Sequence, residues 1–99
     1  MARELVVRPE AEADLAEVFS WYEGREPGLG YEFFDEIDRR FESIRENPEQ
    51  FEIVHKSYRR ALVKRFPYLI FFRDEGERVV VHAVMHSARR PARWRRRLT

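Results

Sequence analysis

Ninety-nine residues, 43% hydrophobic and 14% aromatic, supply one hydrophobic core and leave no room for a second. Residues 1–99 therefore read as a single domain. Charged side chains make up 37% of the chain, and its longest apolar stretch, Pro67 to Phe72, is far too short to span a bilayer. Without cysteine there is neither a disulfide framework nor a thiolate metal site, and Met1 to Pro9 holds no apolar run resembling a secretion signal. A cytoplasmic protein with no membrane contact and no cofactor is expected.

The net charge of +1 hides a division at Val54. Residues 1–54 hold 6 Arg and no Lys against 15 acidic residues, net −9, whereas residues 55–99 hold 13 basic against 3 acidic, net +10. If the basic half lies on one face, its field suits a polyanion or an acidic partner protein. The alternative is that the two halves neutralise each other across the fold.

In chain order, Leu5 to Val7 form a short extended run ending at Pro9, a residue suited to the first turn of a helix. Glu10, Glu12 and Asp14 follow where the helix dipole favours negative charge. Ala11, Leu15, Val18, Phe19 and Tyr22 then recur at helical spacing to about Glu23. Gly24, Pro27, Gly28 and Gly30 punctuate the chain before a second amphipathic series, Leu29, Phe33, Ile37, Phe41 and Ile44, which stops near Asn47 and Pro48. The pair predicts an antiparallel helical hairpin. On its polar side, Asp35 with Arg39 and Glu36 with Arg40 read as exposed pairs four residues apart.

Beyond the hairpin the period changes to that of strands: Tyr58 to Val63, Tyr68 to Arg73 and Arg78 to His86, the last two joined by a turn at Asp74 to Glu77. In the last run both alternating sets, Val79/Val81/Ala83/Met85 and Val80/His82/Val84/His86, are largely apolar, as in a central strand covered on both faces. Ser87 to Thr99 is a basic tail with a short helix from about Pro91. The expected fold is α+β: an N-terminal strand, then a two-helix antiparallel hairpin on one face of a small, mixed, mostly antiparallel sheet (β-α-α-β-β-β), then the basic tail.

This order and its local wording are similar to the RelE/ParE superfamily of type II toxin–antitoxin toxins. The resembling segments are Ala13-Asp14-Leu15 with Trp21-Tyr22; Pro27-Gly28-Leu29-Gly30 with Phe33 and Phe34; Ile44 with Asn47-Pro48; Arg59-Arg60 with Phe66-Pro67-Tyr68; and Ala83-Val84-Met85-His86 with Arg89-Arg90-Pro91 and Trp94. No one segment is specific, but their order and spacing over nearly the whole chain are. The resemblance implies a plasmid-stabilisation type of toxin that inhibits growth and is silenced by a cognate antitoxin whose carboxy-terminal segment wraps it. One branch of the superfamily cleaves messenger RNA on the ribosome and another acts on DNA gyrase. The ribonuclease branch's sheet arginine falls at Tyr68 and its late tyrosine at Trp94, which cannot transfer a proton. The chain therefore resembles the ParE-like branch more closely.

Residues expected to bind the target or the antitoxin are Arg59, Arg60, Lys64, Arg65, Tyr68, Arg73, His86, Arg89, Arg90 and Trp94, with Arg93, Arg95, Arg96 and Arg97 extending the basic tail. Were the chain instead a ribosome-dependent endoribonuclease, Arg60, Lys64, Arg73, His86 and Arg89 are the side chains to supply base, acid and phosphorane stabilisation. His82 would share a face with His86, at a Cα separation of ~13 Å that is too great for a common metal, and no metal is expected. Three functions stay open on the residues: a toxin that binds gyrase or another macromolecule, a ribonuclease acting on ribosome-bound message, and a non-toxic binding module. So does self-association as a homodimer or within a larger toxin–antitoxin assembly.

Overall fold

The computed structural model describes residues 2–98. Strand β1 (Glu4–Val7) leads into helix α1 (Pro9–Arg25) and helix α2 (Leu29–Glu46). A single 3-10 turn (Pro48–Gln50) precedes strands β2 (Ile53–His55), β3 (Tyr58–Leu62), β4 (Tyr68–Asp74) and β5 (Arg78–His86), and helix α3 (Pro91–Arg97) closes the chain. The sheet order is β1-β5-β4-β3-β2. β1 runs parallel to β5, with Leu5 opposite Val79 and Val7 opposite Val81, and the other pairs are antiparallel. The expected α+β fold is present, with β2 added at the sheet edge. Among the described residues no helix is long and apolar enough to cross a membrane.

Local sequence explains the hairpin. Pro9 opens α1 with Glu10 and Glu12 in its first turn, and the helix continues two residues past Glu23, through Gly24, to Arg25. Gly28 then adopts φ +94°, open to glycine without a Cβ penalty. The Glu23 carboxylate accepts the N–H groups of Gly28 and Gly30, each at 2.9 Å, and so caps α2 from the preceding helix. At Gly30 a Cβ would come within 2.8 Å of the Phe19 ring and 2.9 Å of its carbonyl oxygen, so the two helices approach more closely than any larger residue permits. Glu36 is not the exposed partner of Arg40: it is buried and pairs with Arg39 and Arg65, because Arg65 from the β3–β4 loop folds over α2. Arg40 instead lies over the Phe51 ring.

Contrary to the single core expected from the chain's length, two apolar clusters result, one on each side of the sheet within the one domain. Under the hairpin lie Phe33, Ile37, Ile44, Ile70, Phe72, Val79 and Val81, all buried. On the outer face Tyr58, Phe71 and Ala83 are covered by Trp94 and Leu98, with the Phe71 and Trp94 rings stacked at 5.0 Å. The basic tail is thus amphipathic: Trp94 and Leu98, four residues apart, face inward from a run of arginines.

The alternation expected along β5 is broken. Phe71 pairs with Ala83 but Phe72 pairs with Val81, leaving His82 as the extra residue of a β-bulge. The bulge inverts the side-chain parity. His82 packs edge-on against Tyr58 of the outer core, whereas His86 packs against Tyr68, whose own ring meets Tyr22 and Phe33 under the hairpin. The two histidines therefore occupy opposite faces, contrary to the simple two-residue repeat.

Candidate functional site

The site arises where β1 runs out. Arg8 N–H still donates to the Val81 carbonyl at 3.0 Å, but from there to His86 β5 has no strand beside it on that edge. A buried backbone N–H needs a partner, and α1 supplies it: Asp14 Oδ2 accepts the Val84 N–H at 2.9 Å. The same carboxylate accepts both terminal nitrogens of Arg97, at 3.2 and 2.9 Å, while Arg97 Nη2 also reaches the His82 carbonyl at 3.3 Å. One carboxylate thus joins α1, β5 and α3. In the sequence Asp14 stands out as an acidic residue of an early helix turn and within the Ala13-Asp14-Leu15 segment, but not as a site residue, and its partner lies 83 positions away.

Beside this clamp opens a cleft of about 200 Å³, walled by Asp14, Glu17, Tyr68, His86, Arg89 and Arg93. The antiparallel register sets Tyr68 opposite His86, with ring centroids 5.2 Å apart. Burial raises the Tyr68 hydroxyl above its ordinary pKa, partly opposed by the nearby Arg89 guanidinium, so it remains a proton-bearing donor at neutral pH. His86 Nδ1 accepts the Ala88 N–H at 3.0 Å, which assigns the ring proton to Nε2. Arg89 and Arg93 have no ion-pair partner among the described residues and are exposed. The cleft therefore presents a hydroxyl, an imidazole N–H and two guanidiniums as donors. Of its two acids, Asp14 is already committed to Arg97.

The remaining candidates are dispersed. Arg59 donates to the Glu49 and Phe51 carbonyls and holds the approach to β2. Arg60 pairs with Glu52 at 2.6 Å, and Arg65 with Glu32 at 2.7 Å and Glu36 at 3.6 Å. Arg73 pairs with Glu75 at 2.8 Å and lies over the Tyr58 ring. Lys64 sits against α2 beside Arg39 and Arg40. Arg90 is exposed just before α3, Arg95 lies over the Trp94 ring, Arg96 is exposed on the same helix, and Trp94 itself is buried. Four of these bridges, Arg60–Glu52, Arg65–Glu32, Arg65–Glu36 and Arg97–Asp14, join the basic half of the chain to the acidic half. Neutralisation across the fold thus covers part of the charge division, and the Tyr68 cleft holds cations it leaves unmatched.

Among the described residues no group of three or more His, Asp or Glu side chains could hold a metal ion. A family model described as the ParE toxin of type II toxin–antitoxin system, parDE, matches residues 5–91. Toxin ParE2 of Mycobacterium tuberculosis, in strains CDC 1551 / Oshkosh and ATCC 25618 / H37Rv, is 30% identical over an alignment covering 92% of this chain and 88% of the relative. Among solved structures, one described as the chromosomal ParDE TA system from P. aeruginosa superposes with a TM-score of 0.76 at 17% identity, over 86% of this chain and 96% of that one, a likeness of fold. The family match and the identity to Toxin ParE2 together show that the chain belongs to the ParE toxin family of type II toxin–antitoxin systems.

Proposed function

We propose that this toxin arrests growth by holding a macromolecular target in a binding mode, without cutting RNA, that the Tyr68 cleft is part of the surface it uses, and that a cognate antitoxin neutralises it by covering that surface. DNA gyrase is the target that the ParE-like resemblance singles out for testing first. The observation that carries this reading is the dispersal of the side chains that RNA cleavage would need together. Of Arg60, Lys64, Arg73, His86 and Arg89, His86 and Arg89 line the Tyr68 cleft and the other three do not. Arg73 is five residues along β4 from Tyr68, ~17 Å at the rise of an extended strand, and lies over Tyr58 on the outer face. Arg60 and Arg73 are each held by a carboxylate. His86 has its unprotonated nitrogen occupied by the Ala88 N–H, which leaves it a donor rather than a general base.

Induced expression in a bacterial host, with message ends mapped and plasmid supercoiling measured in the same cultures, tests this reading. Growth arrest with intact messages and altered plasmid topology is expected. Codon-specific cuts in translated messages would overturn it, and unimpaired growth would indicate a non-toxic binding module. Co-expression of a candidate antitoxin should restore growth.

A further inference from the structure

A second cleft, of about 250 Å³, opens on the outer face at the opposite end of β4 and β5 from Tyr68 and His86. Arg8 enters it from the β1–α1 junction, Arg73 from the end of β4 and Arg97 from the last turn of α3, with Tyr58, His82 and Glu10 completing the wall. The bulge delivers His82 here, its ring edge-on to Tyr58 at 4.9 Å. His82 Nε2 is buried and has no hydrogen-bond partner among the described residues. Buried polar atoms are nearly always paired, so an unpartnered imidazole in the wall of this cleft is placed to report on whatever charge enters it.

The three guanidiniums retain donors. Arg73 uses Nε and Nη2 on Glu75, leaving Nη1, and Arg97 uses its two terminal nitrogens on Asp14 and the His82 carbonyl, leaving Nε. Arg8 Nη2 lies 3.6 Å from Glu10, longer than a hydrogen bond, so its fork is almost wholly available. Carboxylates therefore fix two of the cations in position without using all their N–H groups. The charges around His82 are those of Arg8, Arg73 and Arg97 against Glu10, Asp14 and Glu75. Burial and then the fields of Arg8 and Arg73 lower the imidazole's pKa, with Glu75 and Glu10 opposing less, so the ring stays neutral.

We propose that this cleft binds a tetrahedral oxyanion, a phosphate group, through Arg8, Arg73 and Arg97, with the His82 imidazole in its wall. Donors converging from three separate elements suit an anion with oxygens in several directions, whereas a planar carboxylate is satisfied by the fork of a single arginine. Glu10, exposed and loosely engaged with Arg8, is the site's built-in competitor. The inference shares only Arg97 with the Tyr68 cleft and does not depend on the toxin's target.

The test is an NMR titration of the His82 imidazole in the full chain, first with inorganic phosphate and then with a 5′-mononucleotide, against sodium chloride and acetate at equal ionic strength. Phosphate should shift the His82 signals saturably and raise its pKa while leaving those of His86 unchanged. Arg8→Gln should weaken binding by roughly tenfold, the loss of a charge-assisted contact. Glu10→Gln should tighten it by roughly threefold, the size of an exposed charge effect. Both side chains are exposed and neither is packed in a core, so the fold survives the changes. A response to inorganic phosphate alone identifies a free anion, and a stronger response to the mononucleotide, altered in the same way by both substitutions, identifies a phosphate carried on a nucleotide. His82 signals indifferent to phosphate, an equal response to acetate or chloride, or affinity unchanged by both substitutions would overturn the proposal.

Discussion

The two faces of the sheet are built on different principles. The hairpin face is sealed by interlocking apolar side chains from two long helices, Phe33, Ile37 and Ile44 against Ile70, Phe72 and Val81. The outer face is covered by a seven-residue helix that buries Trp94, with Leu98 buried at its C-cap, and a cleft lined by arginine, tyrosine and histidine opens at its margin. Broad apolar burial gives the first face its stability, while a short, highly charged cover leaves the second face its hydrogen-bond donors.

Truncations on the two faces sharpen the contrast. Phe72→Ala should cost about 3–5 kcal/mol in urea unfolding, because the rigid hairpin face cannot close around the cavity. Asp14→Ala should cost about 2–3 kcal/mol, through loss of a charge-assisted clamp and an orphaned Val84 N–H. Asp14→Asn, which retains an acceptor for Val84, should recover about half of that cost. Trp94→Ala should cost only about 2 kcal/mol, below the usual range for so large a side chain, because α3 is short enough to detach instead of holding a void. Hydrogen exchange should then show the amides of α3 unprotected and those of α1 unchanged. If Trp94→Ala costs as much as Phe72→Ala, the two faces do not differ in the way described.

The smallest effect is titration of His82. Its folded pKa is depressed below the ordinary 6.5, chiefly by burial. Below that value the unfolded chain binds more protons than the folded one, so stability is full above pH 6.5 and declines as pH falls through the folded pKa. Removing the group by His82→Asn should flatten that decline relative to wild type, and identical pH profiles of the two proteins would count against a neutral, desolvated imidazole.

Most of the fold can be read from periodicity. The apolar series of α1 and α2 carry enough residues for the 3.6 repeat to show, and the continuous aromatic and aliphatic run of β4 reads as a strand by its short length and composition. β2 cannot be read this way: it is three residues long, Ile53 is exposed, and the pattern never completes a repeat. The bulge at His82 escapes for the opposite reason, since Val80, Val81, Ala83 and Val84 are apolar on both faces and conceal the change of parity. Local signals reach part of the candidate site: His86 and Arg89 are near neighbours in sequence, and a β4–β5 hairpin already sets Tyr68 across from His86. Asp14 and Arg97, which form the wall, meet through tertiary packing alone. Nor does composition distinguish Arg60 and Arg73, engaged by Glu52 and Glu75, from Arg89 and Arg93 in the Tyr68 cleft.

On the proposed function, binding resides in the exposed donors of the Tyr68 cleft while stability resides in the buried apolar side chains under the hairpin. Induced expression of Arg89→Gln/Arg93→Gln, with growth and the unfolding midpoint of the purified protein measured together, tests it most directly. The substituted protein should unfold within about 0.5 kcal/mol of wild type, as exposed surface changes generally do, and should no longer arrest growth. Undiminished arrest by an equally stable variant would contradict the claim and assign the toxin's binding surface elsewhere.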